Sequence, residues 1–216
     1  DLLNADAITA LLAPAVAQAV QITVVDRLPG TNAALRTQAA NGAPEGLVLI
    51  AQAQSAGRGR RGHSFFSPPG GLYLSILLRP AFSTRQSPQI TALAAVAAAR
   101  AAEQLCGTPI QIKWVNDLFY GGKKVCGILT EAVTDFESGR IDFLVVGIGI
   151  NLAQPQEYFD AAGLPHGTSL ALQGIAVDPA ADAAALAESM TNFGFDRALY
   201  GFEREGFSAI RDAYKA

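Results

Sequence analysis

The chain has 216 residues, 50% hydrophobic and 16% charged, which suits one substantial core, is tight for two, and excludes a disordered chain. A formal net charge of −3 argues against a domain built mainly for nucleic acid, although one basic cluster stands out within the acidic whole. No apolar run approaches the roughly 20 residues that span a bilayer, and no signal-like segment is seen. Cys106 and Cys126 lack metal-type or C-x-x-C spacing, so a cytoplasmic protein with reduced thiols and no membrane partner is expected.

Asp6 followed by Ile8, Leu11 and Leu12 predicts a capped helix interrupted near Pro14, a connector over residues 1–20. Ile22, Val24 and Val25 read as a strand, and Gly30-Thr31-Asn32 as a turn capping a helix from Ala33 to Ala39. Leu47 to Ala51 has the length of a buried strand. A glycine- and arginine-rich loop from Gln54 to Gly70 follows it, and Leu72 to Leu78 returns to strand character. Ser87-Pro88 opens a long alanine-rich helix that stops near Gly107 and Pro109. Ile110–Trp114, Leu118–Tyr120, Val125–Val133 and Ile141–Ile150 read as strands, with Gly121-Gly122 as a hairpin turn. Pro155 to Leu172 reads as irregular, Pro179 to Tyr200 as a helix, and Phe202 to Tyr214 as a final amphipathic segment. Neighbouring strands with only some helices between them predict an α+β fold with a mixed, largely antiparallel sheet flanked by helices, against a doubly wound one.

Gly57-Arg58-Gly59-Arg60-Arg61-Gly62 matches G-x-G-x-x-G literally, but the following His63, Ser64, Phe65, Phe66, Ser67, Pro68 and Pro69 open no helix to face a pyrophosphate, so a Rossmann turn is excluded. Three guanidinium groups can pair bidentately with carboxylate or phosphate, and glycine permits closure over a ligand. A lid over a small anion, a solvated surface loop and a nucleic-acid segment all remain open for the loop alone.

Lys113-Trp114-Val115-Asn116-Asp117 gathers a cation, an amide and a carboxylate at a strand end, where a plain Asn-Asp turn is the simpler alternative. The hairpin through Gly121-Gly122 folds Lys124 and Gly127 back beside this run, so Lys113 and Lys124 are expected to converge on one anion. Gly147 and Gly149 lie inside a buried strand that ends at Asn151; they leave room either for a ligand or for packing.

In this order, Gly30-Thr31-Asn32, Gln54, Gly57 to Gly62, Ser67-Pro68, Gly71 to Ser75, Lys113 to Leu118, Lys124 with Gly127-Ile128-Leu129 and Glu131, and Gly147 to Asn151 resemble the catalytic core of biotin protein ligases. The resemblance runs from about Thr23 to Tyr214 and implies a catalytic domain over 21–216, with a fold related to class II aminoacyl-tRNA synthetases. It also implies ATP, magnesium and biotin, with biotinyl-5′-adenylate as the intermediate and a lysine of a biotin carboxyl carrier protein as the acceptor. Carried over by position, Thr31, Gln54 and Gly57 are expected at the biotin ring system, Asn32, Gly59 and Gly127 among the ligand-binding residues, and Arg58 and Arg60 in the loop that orders over biotin and adenylate. Lys124 is expected at the biotin carboxylate, Phe65 as an adenine platform, and Asn151 as an adenylate contact. Lys113, Asn116 and Asp117 are expected to handle the phosphates, the metal and the acyl phosphate, with Asp117 as the base for transfer. Metal ligands are not assigned.

Three positions depart from the pattern: Val115 stands for the usual proline, Phe65 for a frequent tryptophan, and Gly30 for a frequent serine. The segment Asp1 to Asn4 resembles the one that follows a winged-helix DNA-binding domain in repressor-type members, and Tyr214 falls where an SH3-like domain begins, so a core of a larger protein is expected. A homodimer is among the implied partners, and DNA only through such an N-terminal domain. Two rivals stand. One is a lipoate ligase or octanoyltransferase, the latter with Cys126 as nucleophile; the other is a biotin-sensing repressor core.

Overall fold

Apolar residues recurring at every second position decide which way each strand faces. In the computed structural model, residues 3–80, 87–135 and 137–191 are described. Among them β1 (Gln21–Leu28), β2 (Leu47–Gln54), β3 (Gly71–Leu78), β4 (Gln111–Lys113), β5 (Asp117–Tyr120), β6 (Lys123–Asp135) and β7 (Arg140–Asn151) form one sheet. Its order is β1-β2-β3-β7-β6-β5-β4. Only β1 and β2 run parallel, and the remaining pairs are antiparallel, as the sequence predicts.

The helices are α1 (Ala5–Leu11), α2 (Pro14–Ala19), α3 (Thr31–Ala40), α4 (Ser87–Cys106), α5 (Gln156–Ala161) and α6 (Pro179–Thr191). Val48, Ile50, Leu74, Ile76, Leu144, Val146, Ile148 and Ile150 point to one face, where they share the main core with α1, α2, α4 and α6. Leu49, Leu77, Phe143 and Val145 point to the other, against Leu35 and Ala39 of α3. Arg79 closes the far end of α3 by donating to the carbonyls of Ala39 and Ala43. Past the first turn of α3, this second face changes composition: β3 presents Ser75 and Tyr73, and β7 presents Gly147 and Gly149.

Three local expectations need correction. The sequence predicts one interrupted connector helix capped at Asp6; the structure has two helices, and the cap is Asn4, whose Oδ1 accepts the Ala7 N–H at 2.8 Å. Pro14 starts α2 at its first turn, where a missing N–H costs nothing, and Ile8, Leu12 and Val16 enter the main core. Thr31 and Asn32 are not caps but the first residues of α3, because their side chains are engaged across the sheet face. Within 155–172, read as irregular, α5 forms around the buried anchor Phe159. The predicted helical sequence from 192 to Tyr200 and the segment Phe202–Tyr214 lie outside the described residues.

Candidate active site

The polar end of the α3 face is organised by a buried chain of hydrogen bonds. Asn32 Nδ2 donates to Glu131 Oε2 (2.9 Å) and to the Leu129 carbonyl (3.2 Å), which fixes the amide with Oδ1 toward Ser75. Ser75 Oγ, fully buried, lies 2.6 Å from both Asn32 Oδ1 and Thr31 Oγ1. A hydroxyl carries one proton and an amide oxygen only accepts, so Ser75 donates to Asn32, and the Thr31 hydroxyl divides its one proton between Ser75 Oγ and Gln54 Oε1, 3.2 Å away. Gln54 Oε1 then takes the Thr31 backbone N–H at 2.8 Å, while Gln54 Nε2 donates to Ser67, which donates to the Phe65 carbonyl. Strand and helix residues thus hold the base of the arginine loop.

Lys124 reaches the same face through a β-bulge. Gly121 and Gly122, with φ of 57° and 76°, form the tight turn that a two-residue hairpin requires. The register then runs Tyr120↔Lys123 and Phe119↔Lys124, but Leu118 pairs with Cys126, leaving Val125 as an extra residue. The bulge shifts the alternation by one, so Lys124 lies with Asp117 and Gly127, while Val125 and Cys126 both enter the opposite core. Lys124 Nζ stands 2.8 Å from Asp117 Oδ1. The same carboxylate oxygen accepts Asn116 Nδ2 at 3.0 Å, and Asn116 Oδ1 accepts Arg60 Nη1 at 2.9 Å.

The loop lies over this face, tied at its base by pairings of Gln54 with Ser67 and Arg58 with Ser64. Arg61 takes the left-handed conformation (φ 57°) at its tip. Phe65 descends onto the sheet: a side chain at Gly149 would collide with its ring, and one at Gly127 would come within 2.7 Å of it. The next residue, Phe66, stacks on Tyr158 of α5 with ring centroids 4.5 Å apart. Between loop and sheet is a cavity of about 570 Å³, the size of a small-molecule site. Thr31, Asn32 and Gln54 line one wall and Arg58, Gly59 and Arg60 the roof. Phe65, Asn116, Asp117, Lys124 and Gly127 also line it.

Three expected residues stand elsewhere. Lys113 faces the same side as Asp117, its register partner, but is exposed, with its ammonium 5.2 Å from the centre of the Phe119 ring and outside the cavity lining. Asn151 donates to the Thr168 carbonyl and accepts from Gln154, so it braces a loop and does not line the cavity. That loop pairs with the Lys124 backbone, since Lys124 N–H donates to His166 and the Thr168 N–H donates to Lys124. Gly57 lies behind the roof, where a side chain would meet the Phe65 carbonyl and Ser67. Gly147 serves packing: its missing side chain makes room for the Asn32 amide. Ser75 and Glu131, quoted only within motifs, prove to order Thr31 and Asn32; their alternation with the apolar residues of β3 and β6 was the available signal.

Charge and burial separate the titratable groups. Cys126 is fully buried on the core face, and desolvation pushes its thiol well above the ordinary range, against the pull of Lys124. Tyr73, beside Phe65, is raised by burial and donates to the Pro68 carbonyl. Among the described residues the cavity has cationic Arg58, Arg60, Arg61 and Lys124 against a single carboxylate, Asp117, and so is built for an anion.

Residues 24–151 match the Biotin/lipoate A/B protein ligase family. The chain belongs to that family. It is 41% identical over 137 residues to the bifunctional ligase/repressor BirA of Bacillus subtilis, covering 62% of this chain and 42% of that protein. It is 33% identical over 175 residues to the biotin–acetyl-CoA-carboxylase ligase of Paracoccus denitrificans, covering 78% of this chain and 69% of the relative. Its fold superposes on the biotin protein ligase of Aquifex aeolicus in complex with biotin and ATP, with a TM-score of 0.72 and 27% identity over 90% of this chain and 76% of that one. The chain therefore spans about two fifths of the length of the Bacillus relative. Among the described residues no helix is long and apolar enough to cross a membrane.

Proposed function

We propose that this family member activates biotin with ATP to biotinyl-5′-adenylate and transfers the biotinyl group to a lysine of a biotin carboxyl carrier protein. The observation that carries the reading is the joining, in one cavity, of a neutral hydrogen-bonding wall at Thr31, Asn32 and Gln54 with a cationic end at Arg58, Arg60 and Lys124. Biotin has the same two ends: a neutral ureido ring and, one valeryl chain away, a carboxylate. The names of the Bacillus and Paracoccus relatives and the biotin and ATP of the Aquifex complex agree with it.

In the first step a carboxylate oxygen attacks the α-phosphorus and pyrophosphate leaves. Negative charge grows on the phosphoryl oxygens, where fixed lysine and arginine donors stabilise it more than they stabilise the ground state. In the second step the acceptor amine attacks the acyl carbon, AMP leaves, and Asp117 takes the proton released by the amine. Phe65 offers the aromatic face for the adenine. Magnesium fits this site as an ion carried in by the triphosphate, because it keeps several waters and needs one or two carboxylates, and Asp117 is the carboxylate present. When bound it neutralises phosphate charge.

The octanoyltransferase rival loses its nucleophile, since Cys126 faces the opposite core. The sensor reading adds DNA binding and dimerisation to the same site and draws on the name of the Bacillus relative. Pyrophosphate release that requires biotin and is not supported by lipoate, followed by a biotinyl mass increment on an acceptor domain, tests the ligase reading. Release supported by lipoate alone would replace it.

A further inference from the structure

Lys124 is not a free cation awaiting a ligand. Its ammonium is paired at 2.8 Å with Asp117, and both side chains are partly shielded, at 34% and 25% exposure. Asp117 in turn is held in place: Asn116 Nδ2 donates to the same Oδ1, Asn116 Oδ1 is taken by Arg60, and the Asn116 amide also reaches the Ile128 carbonyl. A guanidinium only donates and a carboxylate only accepts, so the orientation of the Asn116 amide is unambiguous. The result is a chain of alternating groups, Arg60, Asn116, Asp117 and Lys124, running from the roof of the cavity to its floor. Asp117 cannot swing away freely, because β5 fixes its backbone beside Gly127 and Asn116 fixes its carboxylate.

We infer that Asp117 is a built-in competitor for Lys124, so that a substrate carboxylate enters by displacing it and the site's affinity for the free acid is held down by that exchange. This rests on the biotin reading and deepens it. A ligand carboxylate placed against Lys124 meets the same ammonium that Asp117 already satisfies, and it meets Asp117 as a like charge at close range. Two carboxylates sharing one lysine are less favourable than one, so binding must loosen the Asp117–Lys124 pair. A neutral ligand has no claim on Lys124 and does not pay this cost. Once the substrate holds Lys124, the Asp117 carboxylate is released from its cation. Vacating the lysine and freeing the carboxylate are one event.

The consequence distinguishes this role from simple turn-forming and from simple ligand binding. Neutralising Asp117 removes a competitor and a repulsion, so Asp117→Asn should bind biotin more tightly, by about threefold to fivefold, as expected for a partly exposed ion pair. Binding of biotinamide, which keeps the ring and chain but lacks the charge, should stay within about twofold of wild type. Calorimetric titration of both ligands into the full chain and its variants, at fixed salt, reads this directly. Asp117→Ser serves if Asp117→Asn does not fold, as judged by circular dichroism. Unchanged or weaker biotin binding in a folded Asp117 variant, or an equal gain for biotinamide, overturns the competitor role while leaving the biotin reading intact. Failure of the wild-type chain to bind either ligand overturns both.

Discussion

Lys124 and Cys126 sit two residues apart on β6 yet face opposite sides of the sheet, because Val125 is a bulged residue between them. Simple alternation would have put the ammonium and the thiol on one surface, side by side. The bulge instead gives the lysine to the cavity and the thiol to the core.

Cys126→Ala should therefore leave adenylation and transfer rates within about twofold of wild type. The thiol is a small buried hydrophobe, and its loss should show as lower stability, on the order of 1 kcal/mol, in urea unfolding. A large loss of kcat with unchanged stability would restore the cysteine to the chemistry.

Lys124 and Lys113 should separate in their effects. Lys124→Ala removes a charge-assisted partner worth about 1.5–3 kcal/mol, so biotin binding should weaken on the order of 10- to 100-fold, with compensation from loss of the Asp117 pair at the lower end. Lys113, exposed over Phe119, should not affect biotin binding. Lys113→Ala should slow adenylate formation by about tenfold in single-turnover assays, because its long side chain reaches the incoming triphosphate from the cavity's edge. A wild-type adenylation rate assigns it to the surface.

Gly147→Ala should cost both stability and binding. The added methyl would occupy the space of the Asn32 amide, which holds Glu131, Leu129 and Ser75 together, and Asn32 lies at the start of α3, packed on backbone. Overpacking of this kind costs about 1–3 kcal/mol. Biotin binding should weaken at least tenfold, since Thr31 is aligned through Ser75. Full affinity in the variant would show that the hydrogen-bond chain does not position the ligand wall.

Asp182 predicts a pH dependence of stability far from the cavity. On α6 it is 3% exposed, its Oδ2 has no hydrogen-bond partner among the described residues, and burial, with the nearby charge of Asp178, pushes its carboxyl up to about 7. The folded state therefore keeps a proton that the unfolded chain releases near pH 4, and stability falls as pH rises from about 4 to 7, then levels. The half-buried Cys106 thiol, raised by desolvation and by Asp182, reflects the same environment. Asp182→Asn should abolish most of this slope, with a gain at pH 8 on the order of 2–4 kcal/mol relative to pH 5. Equal stability changes between pH 5 and pH 8 in wild type and Asp182→Asn would place the carboxylate in contact with water.

Alternation, glycine turns and helix stops made the strands, the hairpin at Gly121-Gly122 and the long helix α4 legible in the sequence, because these depend on neighbours along the chain. The family pattern and the residue types at the site were legible for the same reason: Gly57 to Gly62, Lys113 to Asp117 and Gly147 to Asn151 are contiguous stretches. The sheet order, the face on which each residue emerges and the partner each charge takes were not, since they depend on contacts between distant segments. The bulge at Val125 decides whether Lys124 faces the cavity, and it depends on how β6 pairs with β5. Asn32 meets Glu131 and Ser75, and Arg60 meets Asn116, only after β3, β6 and β7 have paired. Local sequence determined which groups the site could use; the tertiary fold decided their neighbours, because hydrogen bonds and ion pairs act over about 3 Å and only packing brings residues far apart in the chain that close.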